Sequence, residues 1–261
     1  MDVTNRFVLD FAREFARAHP GAAILDFGCG AGRLVMAGRA AGLTFFGADV
    51  FYSGSQDRAE AEASGLLGSA IREICDGVLP FDDACFGLVV NNQVMEHVED
   101  LDAILREIHR VLEPGGTLLS IFPSRDVWRE GHIGIPLSHR FPRGSRARLL
   151  YTWGLRSLGC GTWKEQAPNR RQWAIDKLLW IDTYTHYRSR AEIFRTFRRY
   201  FQNELREPDY IRYRLRDRPW RAPLARLLDF APLRVLATSL FRKLAFLVMV
   251  SRKEGGCGSL T

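Results

Sequence analysis

Ile24-Leu25-Asp26-Phe27-Gly28-Cys29-Gly30-Ala31-Gly32-Arg33-Leu34 passes from a short apolar strand pattern into a turn with glycine at every second position, and then into a helical pattern. Glycine opens positive φ to such a turn and lets a ligand approach the backbone closely. The dinucleotide fingerprint requires G-x-G-x-x-G, with the helix start facing a pyrophosphate. Here Gly28, Gly30 and Gly32 give G-x-G-x-G, and Arg33 stands where the third dinucleotide glycine belongs. The spacing disfavours NAD.

Toward the C-terminus, the apolar runs TFFGADV, AIREIC, FGLVVNN and TLLSIF alternate with helical segments up to Pro123. Strands alternating with helices imply βαβ crossovers and a mostly parallel sheet. The clearest crossover helix is 100–112, with Leu101, Ile104, Leu105, Ile108 and Leu112 on one face and Pro114-Gly115-Gly116 as its stop. Upstream, Phe7, Phe11 and Phe15 recur every four residues and Pro20-Gly21 ends the pattern, which predicts an amphipathic opening helix. No basic n-region leads into an apolar run there, so no signal peptide is expected.

Beyond Pro123 the rhythm fails. Residues 124–190 carry Trp128, Trp153, Trp163, Trp173 and Trp180 among many arginines, and are expected to form an inserted lid. A helical face returns with Ile193, Phe197, Tyr200 and Phe201, followed by an expected strand at 205–215 and another at 244–251. Between these two lies a basic amphipathic pair, Leu224, Leu227, Leu228, Ala231 and then Leu233, Leu236, Ala237, Leu240, Phe241, Leu244, divided by Pro232. One domain over 1–261 accounts for all of this: a core at 1–123, the lid at 124–190, and 191–252 returning to the core with a helical insertion at 219–243.

At 46% hydrophobic and 26% charged residues, the 261-residue chain can bury a core, which excludes wholesale disorder. Its net charge of +7 conceals two halves: residues 1–123 hold 9 Arg/Lys against 18 Asp/Glu, and the remainder 28 against 12. The cysteines Cys29, Cys75, Cys85, Cys160 and Cys257 form no CxxC pair and leave an odd one over. That pattern argues against a disulfide framework and a structural zinc site, and fits a reducing cytoplasm. No metal ligand set is expected. The most apolar tail stretch, 222–250, is broken by Arg226, Asp229, Arg234, Arg242 and Lys243, whereas a spanning helix needs about 20 mostly apolar residues.

The glycine loop and the segments C-terminal to it resemble the class I methyltransferases that use S-adenosylmethionine (SAM), in particular the group with Glu-His after the fourth strand. The family's first motif matches Asp26 to Gly32, its acidic residue after strand two matches Asp49, and its Asp after strand three matches Asp76. Leu79-Pro80-Phe81, then Asn92-Gln93-Val94-Met95-Glu96-His97-Val98, then Arg110-Val111-Leu112-Glu113-Pro114-Gly115-Gly116 come in the family's order. The resemblance implies an α/β, Rossmann-like fold, a seven-stranded mostly parallel sheet with helices on both faces, to which this chain is expected to add the lid after strand five and the helices before the last strand. It implies SAM as cofactor, held by Asp26, Gly28, Cys29, Gly30, Gly32, Asp49, Val50, Asp76, Gly77 and Asn92. Asp49, 17 residues after Gly32, would take the ribose hydroxyls, Asp76 the adenine amino group with the Gly77 backbone nearby, and Asp26 the methionine ammonium. The alternative for Asp49 and Asp76 is a helix cap or turn residue. Glu96 and His97 are read as structural, because adjacent helix residues do not face each other, and Cys29 as a small buried side chain.

Methyl transfer from SAM is an in-line displacement that depends on alignment, and a hydroxyl acceptor gains from a base, for which histidine is best matched near neutral pH. His132 and His139, in the segment leaving strand five, are the catalytic candidates, with His186 behind them; each has the alternative of tying the lid to the core. The lid's 13 Arg/Lys against 5 Asp/Glu suit an anionic acceptor, such as a phosphate, a carboxylate or a lipid-linked phosphosugar. Residues 224–244 suit either an anionic membrane surface, at the inner face of the membrane, or core packing or a dimer contact. Nucleic acid is not expected, since Asn91-Asn92-Gln93-Val94 replaces the Pro-Pro-aromatic sequence of amino-directed DNA methylases. The expected activity is O-methylation of a glycan or lipid-linked acceptor, with a small-molecule O-methyltransferase and a non-catalytic SAM-binding scaffold as alternatives.

Overall fold

The structure, a computed structural model, describes residues 1–52 and 55–255; Cys257 lies outside them. Seven strands form one sheet in the order β3-β2-β1-β4-β5-β7-β6. These are β1 Ile24–Phe27, β2 Phe45–Asp49, β3 Ile71–Glu73, β4 Phe86–Asn92, β5 Leu112–Phe122, β6 Gln202–Leu205 and β7 Leu247–Arg252. The pairs among β1 to β5 are parallel, and β7 runs antiparallel to both β5 and β6. Strand side chains alternate between faces, and the core divides accordingly. Leu25, Val89 and Leu118 pack on one side with Leu101, Ile104 and Leu105 of α4 (Leu101–Val111) and with Phe197 of α7 (Arg190–Phe197). Ile24, Leu88 and Leu119 pack on the other with Val8 of α1 (Val3–Ala18) and Val35 of α2 (Arg33–Ala40).

The local signals act as the sequence directs, with two corrections. Asp2 caps α1, accepting the Thr4 and Asn5 amides, and Asp100 caps α4 through the Ala103 amide. α4 nevertheless stops at Val111 without using Pro114-Gly115-Gly116. Leu112 turns extended at φ −74°, ψ 137° and opens β5, whose register shifts across the glycines. The strand expected at 205–215 is also absent: after β6, α8 runs from Glu207 to Arg216. Alternating Ile211, Tyr213 and Leu215 with arginines imitates a strand. Pro208 in the first turn, acids at the start and arginines at the end favour a helix, and only a helix brings Tyr210 onto Phe7, with ring centroids 5.1 Å apart.

The segment 124–190 builds its own small core from Ile133, Ile135, Trp173, Ala174, Leu178 and Ile181, around α5 (Arg146–Ser157) and α6 (Arg170–Tyr184). Residues 219–229 form a 3-10 segment, and α9 covers Ala231–Leu244. Among the described residues no helix is long and apolar enough to cross a membrane.

Candidate functional site

The carboxyl ends of β1, β2 and β4 converge on a cavity of about 620 Å³. Its wall takes Phe27, Gly28 and Gly30 from the loop after β1, Asp49 to Tyr52 after β2, and Ile74 and Gly77 after β3. It continues with Asp57 of α3 (Asp57–Ala63), with Gln93, Val94, His97 and Val98 after β4, and with the start of α4. Open α/β sheets bind ligands at this edge. Gly28 has φ 76°, and a Cβ there would clash with both γ carbons of Val94, so the loop has no room for a side chain. Asp49 is fixed by its own loops: Oδ2 accepts the Gly30 amide at 2.8 Å and Oδ1 the Phe51 amide at 2.9 Å.

Of the residues expected to hold the cofactor, Gly28, Gly30, Asp49, Val50 and Gly77 line this cavity. Five others do not. Asp26 is buried behind the loop, where desolvation and the Asp49 charge push its carboxyl up to about 8. Cys29 packs against Gly47, and burial pushes its thiol up. Gly32 caps α2 at φ 76°. Asp76 is exposed at φ 53°, beside Gly77. Asn92 donates from Nδ2 to Asn5 Oδ1 at 3.0 Å, and Gln93 takes the place in the wall expected for it. Sequence reasoning missed Phe51, Tyr52, Asp57 and Gln93; the only signal for Phe51, Tyr52 and Gln93 was position just past a strand end, and Asp57 opens α3.

Against one side of the cavity the lid delivers a polar cluster. Residues 95–97 are a turn rather than a helix, which removes the premise that kept Glu96 and His97 apart in role. His97 donates from Nδ1 to the Tyr184 carbonyl at 2.6 Å, and its Nε2 lies 3.2 Å from Nε2 of His132. His132 Nδ1 lies 2.7 Å from Glu130 Oε1, which also accepts the Tyr187 hydroxyl at 2.6 Å. Glu130 is fully buried, and its Oε2 accepts the Ile133 amide at 2.6 Å. Burial acts to lower His132, but the Glu130 carboxylate outweighs it and the ring is held above its ordinary value. Burial lowers His97. Glu96 is 2% exposed, neither of its oxygens has a partner among the described residues, and desolvation pushes its carboxyl up to about 8.

His139 stands elsewhere. It is buried, donates from Nε2 to the Arg125 carbonyl at 3.0 Å, and lines a second cavity of about 550 Å³ with Arg125, Arg140, Arg143 and Arg148. That bond joins two parts of the 124–190 segment to each other. His186 is bound by its backbone, its amide donating to the Glu96 carbonyl at 2.6 Å.

A family model described as a methyltransferase domain matches residues 25–120. The chain is 32% identical over 120 residues to a ubiquinone biosynthesis O-methyltransferase of Dinoroseobacter shibae, covering 45% of this chain and 48% of that protein. It is 35% identical over 103 residues to Methyltransferase GfsG of Streptomyces halstedii, covering 38% and 36%. The matches thus span about a third to a half of these relatives' length. In fold the chain is similar to an S-adenosylmethionine-dependent methyltransferase from Mesorhizobium loti, with a TM-score of 0.53, 19% identity, and coverage of 94% of this chain and 100% of that one.

Proposed function

Since residues 25–120 belong to the methyltransferase domain family, whose cofactor is S-adenosylmethionine, we propose that the chain methylates an oxygen of an anionic or lipid-linked acceptor. One observation carries the reading: the cavity bounded by Gly28, Gly30 and Asp49 on one side is bounded by His97, the partner of His132, on another. The residues present fit the cofactor. Gly28 and Gly30 present bare backbone at the cavity wall, Asp49 offers a carboxylate for the ribose diol, and Ile74, Val98 and Ile104 offer an apolar surface for a purine. SAM supplies an electrophilic methyl when bound. Around it the chain aligns the acceptor and excludes water with the lid, while the His97–His132 pair activates the acceptor hydroxyl.

The name of the ubiquinone biosynthesis relative supports oxygen as the receiving atom. The arginines around the second cavity support an anionic acceptor. The lipid-linked form is supported by α9, in which Thr238 is the one buried residue while Leu233, Val235, Leu236, Leu240 and Leu244 are exposed. Arg218, Arg221, Arg226 and Arg234 lie on or beside this apolar surface and enter no ion pair among the described residues. An anionic bilayer is the occupant that answers both features.

Methyl-labelled SAM incubated with membrane and soluble fractions of a cell extract tests the proposal. Label is expected in the lipid fraction, with His132→Ala abolishing it while SAM affinity is kept. Label only in soluble small molecules would favour the small-molecule reading. SAM binding without transfer to any fraction would leave a scaffold.

A further inference from the structure

The two histidines of the cluster meet nitrogen to nitrogen, and the hydrogen bonds behind them show what each nitrogen carries. His97 Nδ1 is spent as a donor on the Tyr184 carbonyl, and His132 Nδ1 on the Glu130 carboxylate. In the neutral rings both Nε2 atoms are therefore bare lone pairs, and they stand 3.2 Å apart. Glu96 adds a buried carboxyl group with no partner at either oxygen among the described residues, and ligand atoms of Glu96, His97 and His132 lie within 4.8 Å of one another. Three donor groups this close can share one electrophile. A second proton on His132 would bridge the two nitrogens without engaging Glu96; a metal ion, displacing the Glu96 proton, engages all three.

We propose that Glu96, His97 and His132 form a binding site for a divalent first-row transition metal, of the kind zinc occupies, beside the cofactor cavity. Two imidazole nitrogens bound at about 2.0–2.1 Å in a tetrahedral site lie roughly 3.4 Å apart, close to the spacing here. Metal-bound histidines characteristically donate their other N–H to a carbonyl or carboxylate, as both rings do. Two histidines and a carboxylate leave a fourth position open, as catalytic sites do. The inference rests on the transferase reading for its chemistry. The acceptor hydroxyl binds the metal and loses its proton to solvent. The oxygen lone pair then forms the O–CH₃ bond while the S–CH₃ pair stays on sulfur, giving S-adenosylhomocysteine, with no change in oxidation state of the metal.

The test uses the full chain, stripped with chelator and titrated with Co²⁺ and Zn²⁺ by calorimetry and absorption. One equivalent is expected to bind, and bound Co²⁺ to show the visible bands of a low-coordinate site. Glu96→Gln, His97→Gln and His132→Gln should each abolish those bands, and Glu130→Gln should weaken affinity about 10- to 100-fold. Circular dichroism and thermal unfolding of the same samples report that each variant is folded, and SAM affinity is expected to be unchanged in Glu96→Gln and His132→Gln, whose side chains do not line the cofactor cavity. Absence of stoichiometric binding, or binding indifferent to the three ligand substitutions, overturns the site and leaves a protonated His132. Metal binding in a protein that takes up no SAM would uphold the site and sink the transferase reading instead.

Discussion

Asp49 spends one oxygen on each of two backbone amides, so its carboxylate is already oriented before a ligand arrives. Removing it costs the ribose its acceptor and also loosens Gly30. Asp49→Ala is expected to weaken SAM and S-adenosylhomocysteine alike by about 1.5–3 kcal/mol, the range for hydrogen bonds to a charged group; titration calorimetry reads this directly, and undiminished affinity contradicts it. Asp26 gives a pH dependence. With its carboxyl pushed up to about 8 by burial and the Asp49 charge, it is mostly protonated at neutral pH in the free protein. From behind the loop Asp26 still feels charge at the cavity, as the effect of Asp49 on it shows, so a cationic methionine end bound there would favour the ionised form and binding would release a proton. Affinity should then fall as pH drops below about 8, at most about tenfold per unit, and Asp26→Asn should flatten the profile.

At the scale of elements, α8 and α9 are joined by Arg242, whose guanidinium donates twice to the fully buried Glu207 at 2.9 Å. Arg242→Ala strands a carboxylate in the core and is expected to lower stability by about 3–5 kcal/mol in urea unfolding, whereas Arg242→Met with Glu207→Leu should recover most of the loss. Neither this pair nor α8 was legible in the sequence. The order of β1 to β5 was legible, because each strand is a contiguous apolar run fixed by local pattern. Glu207 instead meets a residue 35 positions away, and Tyr210 meets α1, so tertiary packing overrides an alternation that locally reads as strand. The site divides in the same way. Gly28, Gly30 and Asp49 are local to the loop they shape, while the partnership of His97 with His132 exists only once the lid has folded back across β4.

For the whole molecule, the apolar face of α9 predicts adsorption to vesicles. Each Lys/Arg near anionic lipid contributes roughly 1 kcal/mol, screened over a Debye length of about 10 Å at 0.1 M salt. Sedimentation with anionic but not neutral vesicles is expected, weakening with salt and with Arg226→Glu plus Arg234→Glu. Arg242 is unsuitable for that substitution because it holds Glu207. Binding that ignores charge and salt would leave the face as a contact for another protein surface. One bond gives this surface a mechanical meaning. The amide of Trp128 donates to the Lys243 carbonyl at the end of α9, and the Trp128 carbonyl accepts the Leu137 amide across the hairpin that carries His132. Helix and hairpin are joined at Trp128 as at a pin, so a tilt that a bilayer gave α9 would be passed to the hairpin that carries His132. Bare anionic vesicles, carrying no acceptor, should therefore alter the turnover of a water-soluble acceptor, and Trp128→Pro, which removes the pin's amide, should uncouple the two.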